Sequence, residues 1–278
     1  MQKLWYGLLI VGGVLVAAIL GIGFASDAVI NARSDAPLPV IRASSGPDAV
    51  ARGAHLGRIY GCDGCHERNL QGSLFFADPV IGSVHSANLT QALPHYSDAR
   101  LARAIREGVR ADGSVLWGMP SESWVEATDA EVSDLIVWLR THPAAGEEQP
   151  RIQPTFLGRI ALLMKKFEPS AAYVAEARAK QSFDAGPQFA QGRHLAATVC
   201  SECHRSDLKG DGMGSPDLMI AASYDLPGFT HLMRTGIGQD GKEHGLMTAA
   251  AKGRFAFMTD DEIKALHAYL VKRAEDAS

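Results

Sequence analysis

The chain has 278 residues, 46% of them apolar and 21% charged, with a formal net charge of −4. At ~100 to 150 residues per domain, this leaves room for two small domains and one additional segment. Both candidate domains are mildly acidic, with 8 basic against 12 acidic residues over 45–141 and 10 against 12 over 190–278, which argues against nucleic-acid binding.

The additional segment is at the start. Residues 4–26 are 23 consecutive positions without a charge, preceded by Lys3. As a helix at ~1.5 Å per residue they reach about 34 Å, enough to cross a hydrocarbon core of ~30 Å. A cleavable signal normally has an apolar region of only ~7 to 15 residues, so residues 1–26 are read as a retained transmembrane anchor. The alternative is a signal sequence, with Gly23-Phe24-Ala25 before Ser26 as its cleavage site. Lys3 holds the start in the cytoplasm under the positive-inside tendency, and the rest of the chain is exported. Residues 27–47 then form a linker.

Cys62-Asp63-Gly64-Cys65-His66 recurs as Cys200-Ser201-Glu202-Cys203-His204, and the two copies use every cysteine in the chain. A CxxCH run is a c-type haem attachment site. Two thiols on one helical turn reach the two vinyl groups, and the adjacent imidazole meets the iron. The competing readings explain less. A thioredoxin-like pair needs a βαβ context, and neither copy follows a buried-strand pattern. A zinc site joining pairs 138 residues apart leaves both trailing histidines without a role. A structural disulfide does not call for histidine after both pairs. Cys62, Cys65, Cys200 and Cys203 are therefore expected to anchor two haem c groups, with His66 and His204 as proximal iron ligands.

The surrounding sequence repeats as well. Arg52-Gly53-Ala54-His55-Leu56 precedes the first motif and Gln191-Gly192-Arg193-His194-Leu195 the second, with one residue fewer before the cysteine. Asn69-Leu70-Gln71-Gly72 and Asp207-Leu208-Lys209-Gly210 follow at equal offsets. Such self-similarity indicates duplicated units, 48–143 and 188–276. Gly108 to Gly113 aligns with Gly236 to Gly241, and Met119 and Met247 each follow the leading glycine by 11 positions. Thioether sulfur is a soft ligand suited to haem iron, so Met119 and Met247 are the expected distal ligands. Met233 and Met258 are rivals in the second unit, with Met258 preferred as a structural staple onto Ile263. His85, His95, His231 and His244 could ligate instead, but none has a counterpart at the same repeat position.

Both units close with a capped amphipathic helix. Thr128 with Glu131 and Thr259 with Glu262 form capping boxes. Val132, Leu135, Trp138 and Leu139 match Ile263, Leu266, Tyr269 and Leu270 as one apolar stripe. The aromatic on each stripe is expected to pack against Gly53 or Gly192. Leu74-Phe75-Phe76 lies in extra material of the first unit, and core packing is its preferred role over covering a haem edge or contacting a partner. The linker 144–187 is punctuated by proline. Its residues 160–167 could form a short apolar helix with basic residues, for which packing between the units is preferred over a membrane surface.

Both units resemble class I cytochromes c, with an entry helix bearing glycine, CxxCH, a loop carrying Met, and a closing helix with an aromatic. The first unit resembles more closely the membrane-associated cytochrome subunits of bacterial quinoprotein and flavoprotein dehydrogenases. The matching residues are Arg52-Gly53, Gly61-Cys62, Asn88-Leu89-Thr90, 105–113, Met119-Pro120 and Leu139-Arg140-Thr141. This chain has two CxxCH motifs where those subunits usually have three, and Ser86-Ala87 precedes Asn88 where they commonly have proline.

The expected fold is all-α: two tandem class I cytochrome c domains behind an N-terminal transmembrane helix. The resemblance implies single-electron transfer without catalysis, at the periplasmic face of a bacterial inner membrane. Its redox donor and acceptor proteins would be a membrane or periplasmic dehydrogenase and a terminal oxidase or soluble cytochrome. The alternative is a di-haem peroxidase or oxidase with one exchangeable haem ligand.

Overall fold

The computed structural model describes residues 2–180, 182–212 and 214–277. The uncharged N-terminal run forms α1 (Gln2–Ile30), which is almost wholly exposed along its length. The first half then builds α2 (Ala49–Ile59), α3 (Cys62–Cys65), strands β1 (Leu74–Asp78) and β2 (Gly82–His85), α4 (Leu89–Ala92), α5 (Asp98–Glu107) and α6 (Asp129–Leu139). Between the halves lie β3 (Gln153–Pro154), α7 (Phe156–Leu163) and α8 (Ser170–Ala179). The second half holds α9 (Ala190–Leu195), α10 (Ser201–His204), α11 (Leu226–Thr235), α12 (Leu246–Gly253) and α13 (Asp260–Ala277).

The frame is helical, and the all-α expectation needs one correction. β1 pairs antiparallel with β2, and β2 with β3, in a small three-stranded sheet. Leu74, Phe75 and Phe76 on β1 are exposed, so their expected core role is not what the structure shows. A hairpin with one solvated face leaves such side chains outside wherever no element covers them.

In each half the entry helix crosses the closing helix at a glycine. A Cβ on Gly53 would overlap the Asp134 carbonyl and lie 2.7 Å from Trp138 Cβ; a Cβ on Gly192 would overlap the Ala265 carbonyl and lie 2.6 Å from Tyr269 Cβ. The backbones can approach this closely only without a side chain. The closing helices begin with the expected capping boxes. Thr128 Oγ1 accepts from the Glu131 amide at 3.2 Å and Glu131 Oε2 from the Thr128 amide at 2.7 Å, with the same two distances for Thr259 and Glu262. Met233 and Met258 are both buried in the core, as their filler role requires.

The halves differ at the shortened spacing before the second cysteine pair. In the first, α2 stops and Gly61 turns the chain with φ of 79° before α3 begins. In the second, with one residue fewer, α9 runs through a wider helical turn over Ala196–Cys200 straight into α10. The second half thus has no counterpart of the Gly61 turn, and its helix passes through the wider turn without a break.

One apolar cluster spans both halves, including Ile59, Tyr60, Trp124 and Leu135 of the first and Leu195, Val199, Phe255 and Tyr269 of the second. Two reciprocal bonds join them. His55 Nε2 meets Glu262 Oε1 at 2.8 Å, and His194 Nε2 meets Glu131 Oε1 at 2.7 Å. His55 and His194 occupy the same repeat position, as do the two glutamates. Each glutamate therefore caps its own helix with one oxygen and reaches across with the other. The Glu262 hydrogen bond raises the pKa of His55. Burial pushes both glutamates up, but the histidine and cap amide bonds outweigh it and leave them below the usual carboxylate range.

α7 does not pack between the halves as residues 160–167 were expected to, whereas α8 borders the recess at their meeting with Tyr173, Glu176 and Ala177. α7 packs along the end of α1 and against the hairpin. α8 braces the loop carrying Met119, where the Ser170 hydroxyl donates to the Met119 carbonyl at 2.6 Å.

Candidate functional site

Both CxxCH motifs lie on short helical turns, and the chain beyond each histidine is folded alike. Glu67 and Leu70 have φ of 64° and 58°, and Arg205 and Leu208 have φ of 61°. The loops close with Gly72 N–H donating to His66 O and Gly210 N–H to His204 O, each at 2.9 Å. They hold the imidazoles the same way: His66 Nδ1 is 2.8 Å from Ala87 O, and His204 Nδ1 is 2.8 Å from Pro216 O. A carbonyl only accepts, so each Nδ1 carries the proton and each Nε2 keeps a lone pair for a metal. Desolvation lowers both imidazole pKa values, outweighing those carbonyl bonds, and so favours the neutral, ligating form.

In the first half these groups share one cavity. Cys62, Cys65 and His66 form part of its wall, and Met119, Trp117 and Trp124 another part; Leu93, Leu101, Ile105, Leu135 and Leu139 supply apolar lining. Arg110 also borders it, and its Nε–H, like the indole N–H of Trp124, is buried without a partner among the described residues. Burial and neighbouring Arg151 lower the Arg110 pKa, so an anion beside it would be stabilised. An apolar slot bordered by two thiols, an imidazole, a thioether and unpartnered donors fits a flat apolar macrocycle bearing carboxylates. Haem c has that chemistry.

The second set is less gathered. Cys200 is buried, Cys203 exposed and His204 half-buried, while Met247 packs against the core at the start of α12. The recess beside Cys203 is formed with Glu122, Tyr173, Ser201, Glu202 and Arg205 at the meeting of the two halves, without His204 or Met247.

Burial pushes the Cys62 and Cys200 thiols up to about 12, against the opposing pull of Arg254. They are neutral thiols, unlike the activated thiolate of a redox CxxC pair. Among the described residues no group of three or more His, Cys, Asp or Glu side chains is gathered for a metal ion, so a four-cysteine zinc site is not assembled.

Arg254 was not legible in the repeat, because the position at the same offset before the first capping box is Ser123. Its guanidinium pairs with Glu202 at 2.5 Å, donates from Nε to Ile59 O at 3.3 Å, and acts electrostatically on all four cysteines. Both CxxCH helices therefore border the interface between the halves. Arg110 and Trp124 also escaped the sequence reading, since an unpartnered donor is a property of packing.

Residues 189–274 match the family described as cytochrome c. The second half is a cytochrome c domain. Its CxxCH implies covalent haem c with iron. Over 87% of its length the chain is 25% identical to the fructose dehydrogenase cytochrome subunit of Gluconobacter japonicus. Over 81% it is 24% identical to the cytochrome c subunit of alcohol dehydrogenase (quinone) from Gluconacetobacter polyoxogenes, and equally to that from Komagataeibacter europaeus. The matches cover 55% and 56% of those proteins, so the chain spans about half the length of these relatives. All three are cytochrome subunits of dehydrogenases, and electron transfer is what a cytochrome domain performs.

Proposed function

We propose that the chain is a membrane-anchored cytochrome with one covalent haem c in each half, passing single electrons from a membrane-bound dehydrogenase toward a terminal oxidase or soluble cytochrome. It acts on the periplasmic side of a bacterial inner membrane. The observation that carries this reading is the first-half cavity, where Cys62, Cys65, His66 and Met119 share one apolar enclosure. Bound haem iron supplies one-electron redox chemistry.

The chain's residues do the rest. Cys62 and Cys65, with Cys200 and Cys203, provide the thiols for attachment. His66 and His204 present Nε2 to iron, each oriented by the carbonyl bond at Nδ1. Met119 and Met247 supply the thioethers expected opposite them. Arg110 and Trp124 offer donors to haem carboxylates, and the apolar lining limits water. Trp117 borders the first cavity and donates from Nε1 to Ile30 O at 3.1 Å, at the end of α1, which supports the first site as the one nearer the membrane. Arg254 lies on the way from that site to the second.

Intact mass and pyridine haemochrome absorbance of the purified full chain test the reading. It requires two haems per chain, falling to one in Cys62→Ser/Cys65→Ser and in Cys200→Ser/Cys203→Ser. A single haem in the unaltered chain, lost with only one of the pairs, contradicts it.

A further inference from the structure

The outer face of α7 is apolar where a water-facing helix would be polar. Gly158 and Leu162 are its buried positions, while Phe156, Leu157, Leu163 and, just past its end, Met164 are exposed. A short helix that is apolar on both sides has no face suited to water. The hairpin extends this surface. Thr155, which caps α7, donates from its hydroxyl to Val80 O and from its amide to Ile81 O at 3.0 Å, and exposed Val80 lies at the hairpin tip.

The level of this surface along α1 is fixed by Arg159. Its Nη1 donates to Gly23 O at 3.3 Å, to Ser26 Oγ at 2.7 Å and to Asp27 Oδ1 at 2.6 Å. Counting ~20 residues for a ~30 Å hydrocarbon core from Leu4 ends the core near Gly23. α7 therefore meets α1 where hydrocarbon gives way to headgroups, next to Phe24, which is 77% exposed. Lys165 and Lys166 follow α7 directly. The nearby acids are accounted for in part: Asp27 pairs with Arg159 and Asp78 accepts the Val80 and Ile81 amides, leaving Glu168.

We propose that α7 and the tip of the β1–β2 hairpin form a collar that docks into the phospholipid interface around the exit of α1. This rests on α1 being a membrane anchor. Phe156, Leu157, Met164 and Val80 enter the boundary between headgroups and acyl chains, and Lys165 and Lys166 face lipid phosphates. A bilayer is the occupant favoured here because the surface is continuous with α1. Because α7 and α8 also pack on the Met119 side of the first half, the collar would hold the first cavity against the membrane.

The test uses the haem-loaded full chain in phosphatidylcholine nanodiscs. With its four cysteines taken up by haem, one introduced cysteine carries one nitroxide. Labels at Leu157→Cys, Met164→Cys, Phe24→Cys and Val40→Cys are compared by EPR for accessibility to oxygen and to a water-soluble nickel chelate, in variants with unaltered haem spectra. The collar requires an oxygen-to-nickel ratio at 157 and 164 several-fold above that at fully exposed Val40. Water-like values at 157 and 164 with a lipid-like Phe24 overturn the collar and spare the anchor, as does protection of 157 and 164 from both reagents. A water-like Phe24 overturns the anchor itself.

Discussion

Glu122 offers a quantitative check on the packing between the halves. It lies three residues beyond Met119 in the turn Ser121–Trp124, beside the recess at the second CxxCH helix. Its Oε2 is buried without a partner among the described residues. Burial, reinforced by the facing charge of Glu202 and only partly opposed by its own backbone amide, lifts its pKa from 4.5 to about 7. The sign follows from the protons bound. Below pH 4.5 the folded and unfolded chains both hold the proton, so stability is unaffected. Between 4.5 and 7 the folded chain keeps a proton that the unfolded chain has lost, so this group's effect is to make stability fall as pH rises. Above 7 the loss is complete, at no more than about 3 kcal/mol. Glu122→Gln is neutral throughout and escapes the fall. Urea unfolding of both proteins, followed by far-UV circular dichroism, should give near-equal stabilities at pH 4.5 and a more stable variant at pH 8. An equal difference between the two proteins at both pH values would refute the argument, because it would show that Glu122 does not change its proton affinity on folding.

Two further substitutions probe the frame and the interface. Gly53→Val inserts side-chain atoms where the Asp134 carbonyl and Trp138 already lie, so α2 and α6 must separate; overpacking of this kind costs about 1–3 kcal/mol, measurable as a lower thermal midpoint, whereas valine at exposed Gly64 should cost much less. Arg254→Gln removes the cation that acts on all four cysteines, which should lower the midpoint potentials at both sites by tens of millivolts, on the order of 1 kcal/mol, in an optical redox titration, while Arg254→Lys should recover part of the shift.

The features legible in the sequence were local or repeated. CxxCH is a contiguous motif, the capping boxes span four residues, and the glycine-to-aromatic crossings follow from small and large residues at matching offsets in both units. The reciprocal bonds of His55 to Glu262 and His194 to Glu131 were visible only as repeated residue types. Their pairing across the halves depends on how the units dock, and no residue spacing encodes that. The hairpin was hidden because Leu74-Phe75-Phe76 reads as core by composition, and its exposure depends on β2, β3 and α7 leaving one face open. A short apolar helix was expected over 160–167; α7 covers Phe156–Leu163, so only the first half of that range is helical, and its partner, α1, lies more than a hundred residues earlier in the chain. Arg254 has no repeat counterpart at all.

The central claim is that each half holds a low-spin haem between histidine and methionine. Optical and EPR spectra of the fully loaded chain, beside Met119→Ala and Met247→Ala, test it most directly. Two low-spin signals are predicted, each losing its methionine signature only in its own variant. A high-spin signal in the unaltered protein that is insensitive to the matching methionine change would contradict the ligand assignment and favour a haem with an exchangeable site.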